Sequence, residues 1–218
     1  MSIDFTLSPE LELIRVRVRA FIEDVVKPGE ALIGDSEEIE RDEYIRILFG
    51  MRSQAKEAGL WLPHMPAEWG GMGLGHVELA MVQAEAAKSY YGPFVMNCQA
   101  PDEGNMHTLL HWATDEQKEK YLKPLCDGMA MSCFAMTEPE VAGSDPTLIR
   151  TTAIQDGEEW VINGHKWFIS NAQRASFAIL VARTEDNPDL PQAANSAFIV
   201  EIPSDGWNRV REVETMHG

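Results

Sequence analysis

The 218-residue sequence predicts an α+β fold, an N-terminal α-helical bundle domain over residues 1–127 followed by an antiparallel β-domain over 128–218. Three observations predict it. Through the first part, apolar residues recur at spacings of three and four, the repeat of a helix with one buried face. Past residue 127 the pattern turns to Asp-Gly and Asn-Gly pairs flanked by β-branched and aromatic residues, which is hairpin chemistry. Helical and strand segments do not alternate, so they belong to segregated layers or separate domains rather than to a βαβ sheet.

The first helix opens at Ser8, a capping residue, with Pro9 at the first helical position. Leu11, Ile14, Val18, Phe21, Ile22 and Val25 form its apolar stripe, and Arg15, Arg17, Arg19, Glu23 and Asp24 lie mostly off it. A second helix spans about residues 41–58 and stops at Gly59. The Pro- and Gly-rich "WLPHMPAEWGGMGLGH" is a loop. "VELAMVQAEAAKS" and "DEGNMHTLLHWA" resume helical spacing, and Thr114 with Gln117 forms a capping box before "EKYLKPLCDG". In the β-part, "TTAIQDGEEWVINGHKWFIS" carries two hairpin signals, Asp156-Gly157 and Asn163-Gly164. "FAILVART" and "SAFIVEI" are two further strands.

Composition narrows the function. Eighteen Lys and Arg stand against 35 Asp and Glu, a net charge of −17, which repels nucleic acid and anionic membrane surfaces. A small phosphate-bearing ligand remains compatible, because backbone N–H groups can hold it locally. No apolar run is long enough to span a bilayer, and the N-terminus has neither a secretory nor an Arg-rich transit pattern. Three cysteines, Cys98, Cys126 and Cys133, form no CxxC pair, so a reducing cytoplasm fits best.

Several motifs are set aside. The glycines at 70, 71, 73 and 75 lack the preceding strand that a dinucleotide fingerprint needs, so they read as a tight helix–helix connection. His107 and His111 have metal-ligand spacing but no Glu after His107 and no evident third ligand, so no metal site is assigned. There is no GxSxG elbow and no P-loop, and the acidic run from Asp35 to Glu43 reads as a solvated surface.

"CFAMTEPEVAGSD", residues 133–145, is more informative. An apolar strand is stopped by Pro139, with the Thr137 hydroxyl before the turn and Gly143-Ser144 after it. Alone, this suits a polar strand-to-loop corner as well as a ligand turn. "KWFISN", residues 166–171, shifts the balance, since it offers flat apolar surface at Trp167 and Phe168 and a hydroxyl at Ser170. Strand alternation would put Phe168 and Ser170 on one side. Two such segments suit a flat cofactor with a phosphate tail.

With these segments in hand, the sequence resembles an acyl-CoA dehydrogenase. The resemblance rests on "CFAMTEPEVAGSD", "VINGHKWFISN", "EQKEKYLKPLCDG" and "PAEWGGMGLG", and covers the chain in order. "NCQAPDEGNMHTLL" and "MTEPEVAGSD" look most like the subgroup whose larger animal members are fused to a kinase-like domain. The resemblance implies FAD as cofactor and oxidation of the Cα–Cβ bond of an acyl-CoA thioester. A carboxylate would take the α-proton, and the β-hydrogen would leave as hydride. It also implies an electron-transfer flavoprotein as acceptor and a homo-oligomer, dimer or tetramer. Position by position, Phe134, Ala135, Met136 and Thr137 should run along the flavin, and Phe168, Ile169 and Ser170 should flank it. Gly143 and Ser144 should lie where cofactor and thioester meet, with Ser144 also toward substrate.

Departures from the family pattern are visible. Members often carry Tyr where this chain has Phe134, and Trp where it has Phe168; both changes keep an aromatic face and drop a polar handle. The loop from Pro139 to Gly143 is one residue longer than the commonest form. The sequence ends at Gly218 within what resembles the β-domain. The family's C-terminal helical domain, with its catalytic carboxylate, is therefore expected to lie outside this chain. No Asp or Glu here inherits the role of base by motif, and Glu138 belongs to the cofactor strand. These 218 residues alone are expected to be inactive. The alternatives are a half-enzyme completed by a second chain, or a non-catalytic scaffold with the family fold.

Overall fold

A computed structural model describes residues 6–35, 38–143, 145–185, 189 and 194–213. The chain divides into two compact units, Met1–Gly128 and Met129–Gly218.

The first unit is helical. Helix α1 (Pro9–Phe21) starts where Ser8 Oγ accepts from Leu11 N. It passes through a π-helical turn, Ile22–Val26, into α2 (Lys27–Ile33). The wider turn has a local cause. Pro28 stands at the start of α2 with no N–H to give and a ring that crowds the preceding turn. The same arrangement recurs later. Helix α7 (Asp115–Gln117) runs through a π turn, Lys118–Leu122, into α8 (Lys123–Cys126), whose second residue is Pro124. Between them lie α3 (Arg41–Glu57), α4 (His76–Ala86), α5 (Gly92–Val95) and α6 (Asp102–Trp112). The capping box at Thr114 and Gln117 is formed on both sides.

Buried charge fastens these helices. Glu85 on α4 accepts from Arg15 at 3.0 Å and Arg19 at 2.7 Å, both on α1, and also from Lys88. Arg52 on α3 is buried, donates to Phe94 O at 2.8 Å and lies 4.4 Å from the Phe94 ring and 4.7 Å from that of Trp61. The glycine loop joins α3 to α4, with its backbone donors spent inside itself. Met72 N bonds Leu62 O, Gly73 N bonds Met65 O and Leu74 N bonds Pro63 O. Those amides are not offered to a phosphate.

The second unit is built on one sheet. Its strands are β1 (Ser132–Ala135), β2 (Thr152–Asp156), β3 (Glu159–Asn163), β4 (Phe177–Arg183) and β5 (Asn195–Glu201). The sheet is mixed, not purely antiparallel. β4 pairs antiparallel with β5 and β2 with β3, but β1 runs parallel to β4, with Ser132 opposite Phe177 and Ala135 opposite Leu180. β2 meets β4 in parallel at a single pair, Thr152 opposite Arg183. The long path between β1 and β4 permits this parallel pairing, which no two-residue turn could make. Small residues line the core, with Cys133, Ala135, Ala153, Ala178, Leu180 and Ala182 packed together.

One hairpin signal holds and one does not. β2 and β3 are joined by Gly157-Glu158, with Gly157 at φ 66°. Asn163-Gly164 opens no hairpin, and the chain from 164 to 176 is irregular. Gly164 serves close approach instead. A Cβ there would stand 2.1 Å from Thr151 Oγ1. Residues 166–171 are therefore a turn-rich segment and not a strand, with Phe168 at φ 51° and Asn171 at φ 67°.

Candidate cofactor site

β1 delivers the chain to the site and then leaves the sheet. Phe134 is 39% exposed between buried Cys133 and Ala135, so its ring faces away from the core. Beyond Ala135 the chain departs from β4, and β2 later takes up the same edge.

The chain just past β1 is tied to the 166–168 segment by paired bonds. Trp167 N donates to Thr137 O at 3.0 Å, and Thr137 Oγ1 donates to Trp167 O at 2.5 Å. Lys166 Nζ donates to Met136 O at 2.8 Å. Gly143 folds back on Thr137, where a Cβ would come 3.2 Å from Thr137 Cγ2. So Met136, Thr137, Gly143 and the turn carrying Phe168 share one corner, although they are widely separated along the chain. Phe168 is 58% exposed, and its ring centroid lies 4.5 Å from that of Trp167. Ser170 is exposed, and Ile169 packs against the sheet's core. Phe168 and Ser170 thus both face outward, though left-handed turns and not strand alternation put them there. Ser144 lies outside the described residues.

Reading the sequence missed what holds this corner. Glu138, 1% exposed, accepts from Lys166 Nζ at 2.8 Å, Thr151 Oγ1 at 2.5 Å, Thr151 N at 2.9 Å and Arg150 N at 2.7 Å. Burial alone would push its carboxyl up. The Lys166 ammonium, the Thr151 hydroxyl and the two backbone N–H groups outweigh burial and hold it down to about 2. The only sequence signal was a lone acid and a lone lysine, each beside a segment already singled out. Among the described residues no group of three His, Cys, Asp or Glu is arranged to hold a metal ion.

Known proteins resemble the chain in sequence and fold. The family model for the acyl-CoA dehydrogenase N-terminal domain covers residues 8–129, and that for the middle domain covers 133–218. The chain belongs to the acyl-CoA dehydrogenase family. Acyl-CoA dehydrogenase family member 11 of Gallus gallus is 34% identical over 94% of this chain and 28% of its own length. FadE2 of Mycobacterium tuberculosis, assigned as an acyl-CoA dehydrogenase, is 34% identical over 95% of this chain and 52% of its own. A solved Mycobacterium abscessus protein assigned to the same family superposes with a TM-score of 0.85 at 33% identity, over 97% of this chain and 55% of that one. A glutaryl-CoA dehydrogenase from Mycobacterium smegmatis, solved in complex with FADH2, gives 0.70 at 25% identity, over 93% and 48%. The chain thus spans 28% and 52% of the length of these two curated relatives. Family membership supports an oxidoreductase role.

Proposed function

We propose that the protein takes part in FAD-dependent α,β-dehydrogenation of an acyl-CoA thioester, with these 218 residues supplying the N-terminal and middle portion. The observation that carries the reading is the pair of hydrogen bonds between Thr137 and Trp167, which sets an exposed aromatic turn beside the end of β1. The corner fits a flat heterocycle. Phe134 and Phe168 present aromatic surface to solvent, and Thr137 Oγ1, having donated its proton to Trp167 O, keeps lone pairs for a ring N–H. When bound, FAD supplies the hydride acceptor.

Ala135, Met136 and Thr137 would line one border of the ring, and Phe168, Ile169 and Ser170 the other. Gly143 keeps the 139–143 loop close to Thr137, so backbone can approach the ligand without a side chain between. Ser144 is proposed to meet cofactor and thioester. The carboxylate that takes the α-proton is assigned to no residue of this chain. Glu138 is engaged by four donors and held as an anion by them, which suits a structural anchor better than a base. An electron-transfer flavoprotein as acceptor and a homo-oligomeric assembly follow the same family reading. Among the described residues no helix is long and apolar enough to cross a membrane. The three cysteines are buried and form no disulfide, which agrees with a reducing compartment such as the cytoplasm.

The test is an FAD titration of the full gene product followed by anaerobic addition of acyl-CoA thioesters. A yellow protein whose flavin band bleaches on addition is the expected result. A folded protein that stays colourless and cannot be reconstituted would favour the non-catalytic scaffold. A chain that becomes active only with a separately encoded helical partner would favour the half-enzyme.

A further inference from the structure

β4 carries two strands in succession along one edge. β1 ends opposite Leu180, and β2 begins opposite Arg183. Glu138 bridges this interruption with its side chain. Its two oxygens accept the N–H groups of Arg150 and Thr151, which lead into β2, where a continuous ladder would have supplied carbonyls. Lys166, 10% exposed at its side chain, donates to the same carboxylate and to Met136 O on the other side. One ion pair thereby joins the end of β1, the start of β2 and the turn holding Phe168. The fit is close, for Gly164 leaves no room beside Thr151, the residue that donates twice to Glu138.

We propose that Glu138 and Lys166 are positioning residues of the flavin site. They fix the spacing between the 134–137 and 168–170 segments and so decide where the Thr137 hydroxyl and the Phe168 ring stand. This rests on the FAD reading above. Both side chains are largely buried beneath the corner, at 1% and 10% exposure. They act through Met136 O and the Thr137–Trp167 bonds.

Removing one partner leaves a buried charge and endangers folding, whereas neutralising both is tolerated better. The test therefore uses the E138Q/K166M double variant and K166R beside the wild type, all as full gene product. The double variant is expected to keep its far-UV spectrum, to bind FAD at least about tenfold more weakly, and to shift the shape of the bound flavin's visible band. K166R, which can reach both acceptors, should restore affinity and band shape most of the way. A double variant with lowered apo-protein Tm but unchanged FAD affinity and band shape would reduce the pair to fold support and overturn the proposal. Wild-type protein that takes up no FAD would sink the flavin reading itself, and this inference with it.

Discussion

His64 is only 5% exposed, and neither of its ring nitrogens has a hydrogen-bond partner among the described residues. Burial, aided by the neighbouring His107 with ring centroids 5.3 Å apart, lowers it from 6.5 to about 4. A base held below its unfolded value adds no pH-dependent penalty above that value and destabilises the fold as pH falls below it. The penalty grows as pH falls from about 6.5 toward about 4, because the unfolded chain binds the proton first. His64→Leu removes the cost of unpaired buried nitrogens. Thermal melts should show equal or higher Tm at pH 7 and a flatter decline toward pH 5. A large loss of Tm at pH 7 would mean that the imidazole has an unseen partner. Gly164→Ala tests the opposite kind of crowding. Its Cβ would sit 2.1 Å from Thr151 Oγ1, so Thr151 must move off Glu138. The expected cost is roughly 2–4 kcal/mol in chemical denaturation, together with weaker FAD uptake. A Gly164→Ala variant of wild-type stability would show that Thr151 has somewhere to go.

Among the elements, α1 and α4 are joined by a carboxylate that three cations share. Glu85→Ala takes this carboxylate from Arg15, Arg19 and Lys88, whose side chains stay partly in water, so the joint between α1 and α4 should weaken without global unfolding. Hydrogen exchange should quicken in Pro9–Phe21 before it does in α6, and uniform exchange across both would contradict the local character of this joint. The helices themselves were legible. Ser8 and Pro9, the Thr114–Gln117 box and the apolar spacing are local signals, and local signals are what a helix obeys. The two π turns were not, because they answer to prolines one turn further on. In the sheet, Gly157 marked its hairpin because it takes a positive φ, while Gly164 misled because its smallness serves Thr151 and not a turn. The parallel β1–β4 pair joins residues about 45 positions apart, a register that no short pattern specifies. The site divides the same way. Thr137 and Phe168 drew attention by residue type as candidates, but Lys166 reaching Glu138 across 28 residues could be seen only in three dimensions.

For the molecule as a whole, net charge and the held carboxylates pull stability in opposite directions as the solution is acidified. At −17 the folded chain repels itself, so salt that screens the charges should raise Tm by a few degrees between about 20 mM and about 300 mM NaCl at pH 7. Mild acid relieves the same repulsion as the net charge approaches zero near the pI of 4.7. Against this stand Glu85 and Glu138. The Arg19, Lys88 and Arg15 hydrogen bonds hold Glu85 at about 2, and the donors around Glu138 overcome its burial to the same value. Both are depressed carboxyls, so their stabilisation is complete above about 4.5 and lost as pH falls from there toward 2, on the order of 3 kcal/mol each. Acid unfolding should therefore steepen below pH 4.5, past the point where electrostatic relief is greatest. Introducing E138Q with K166M should remove one of the two contributions and make the acid limb shallower at unchanged salt response. An acid limb identical to wild type in that variant would show that Glu138 is not the carboxylate the molecule defends.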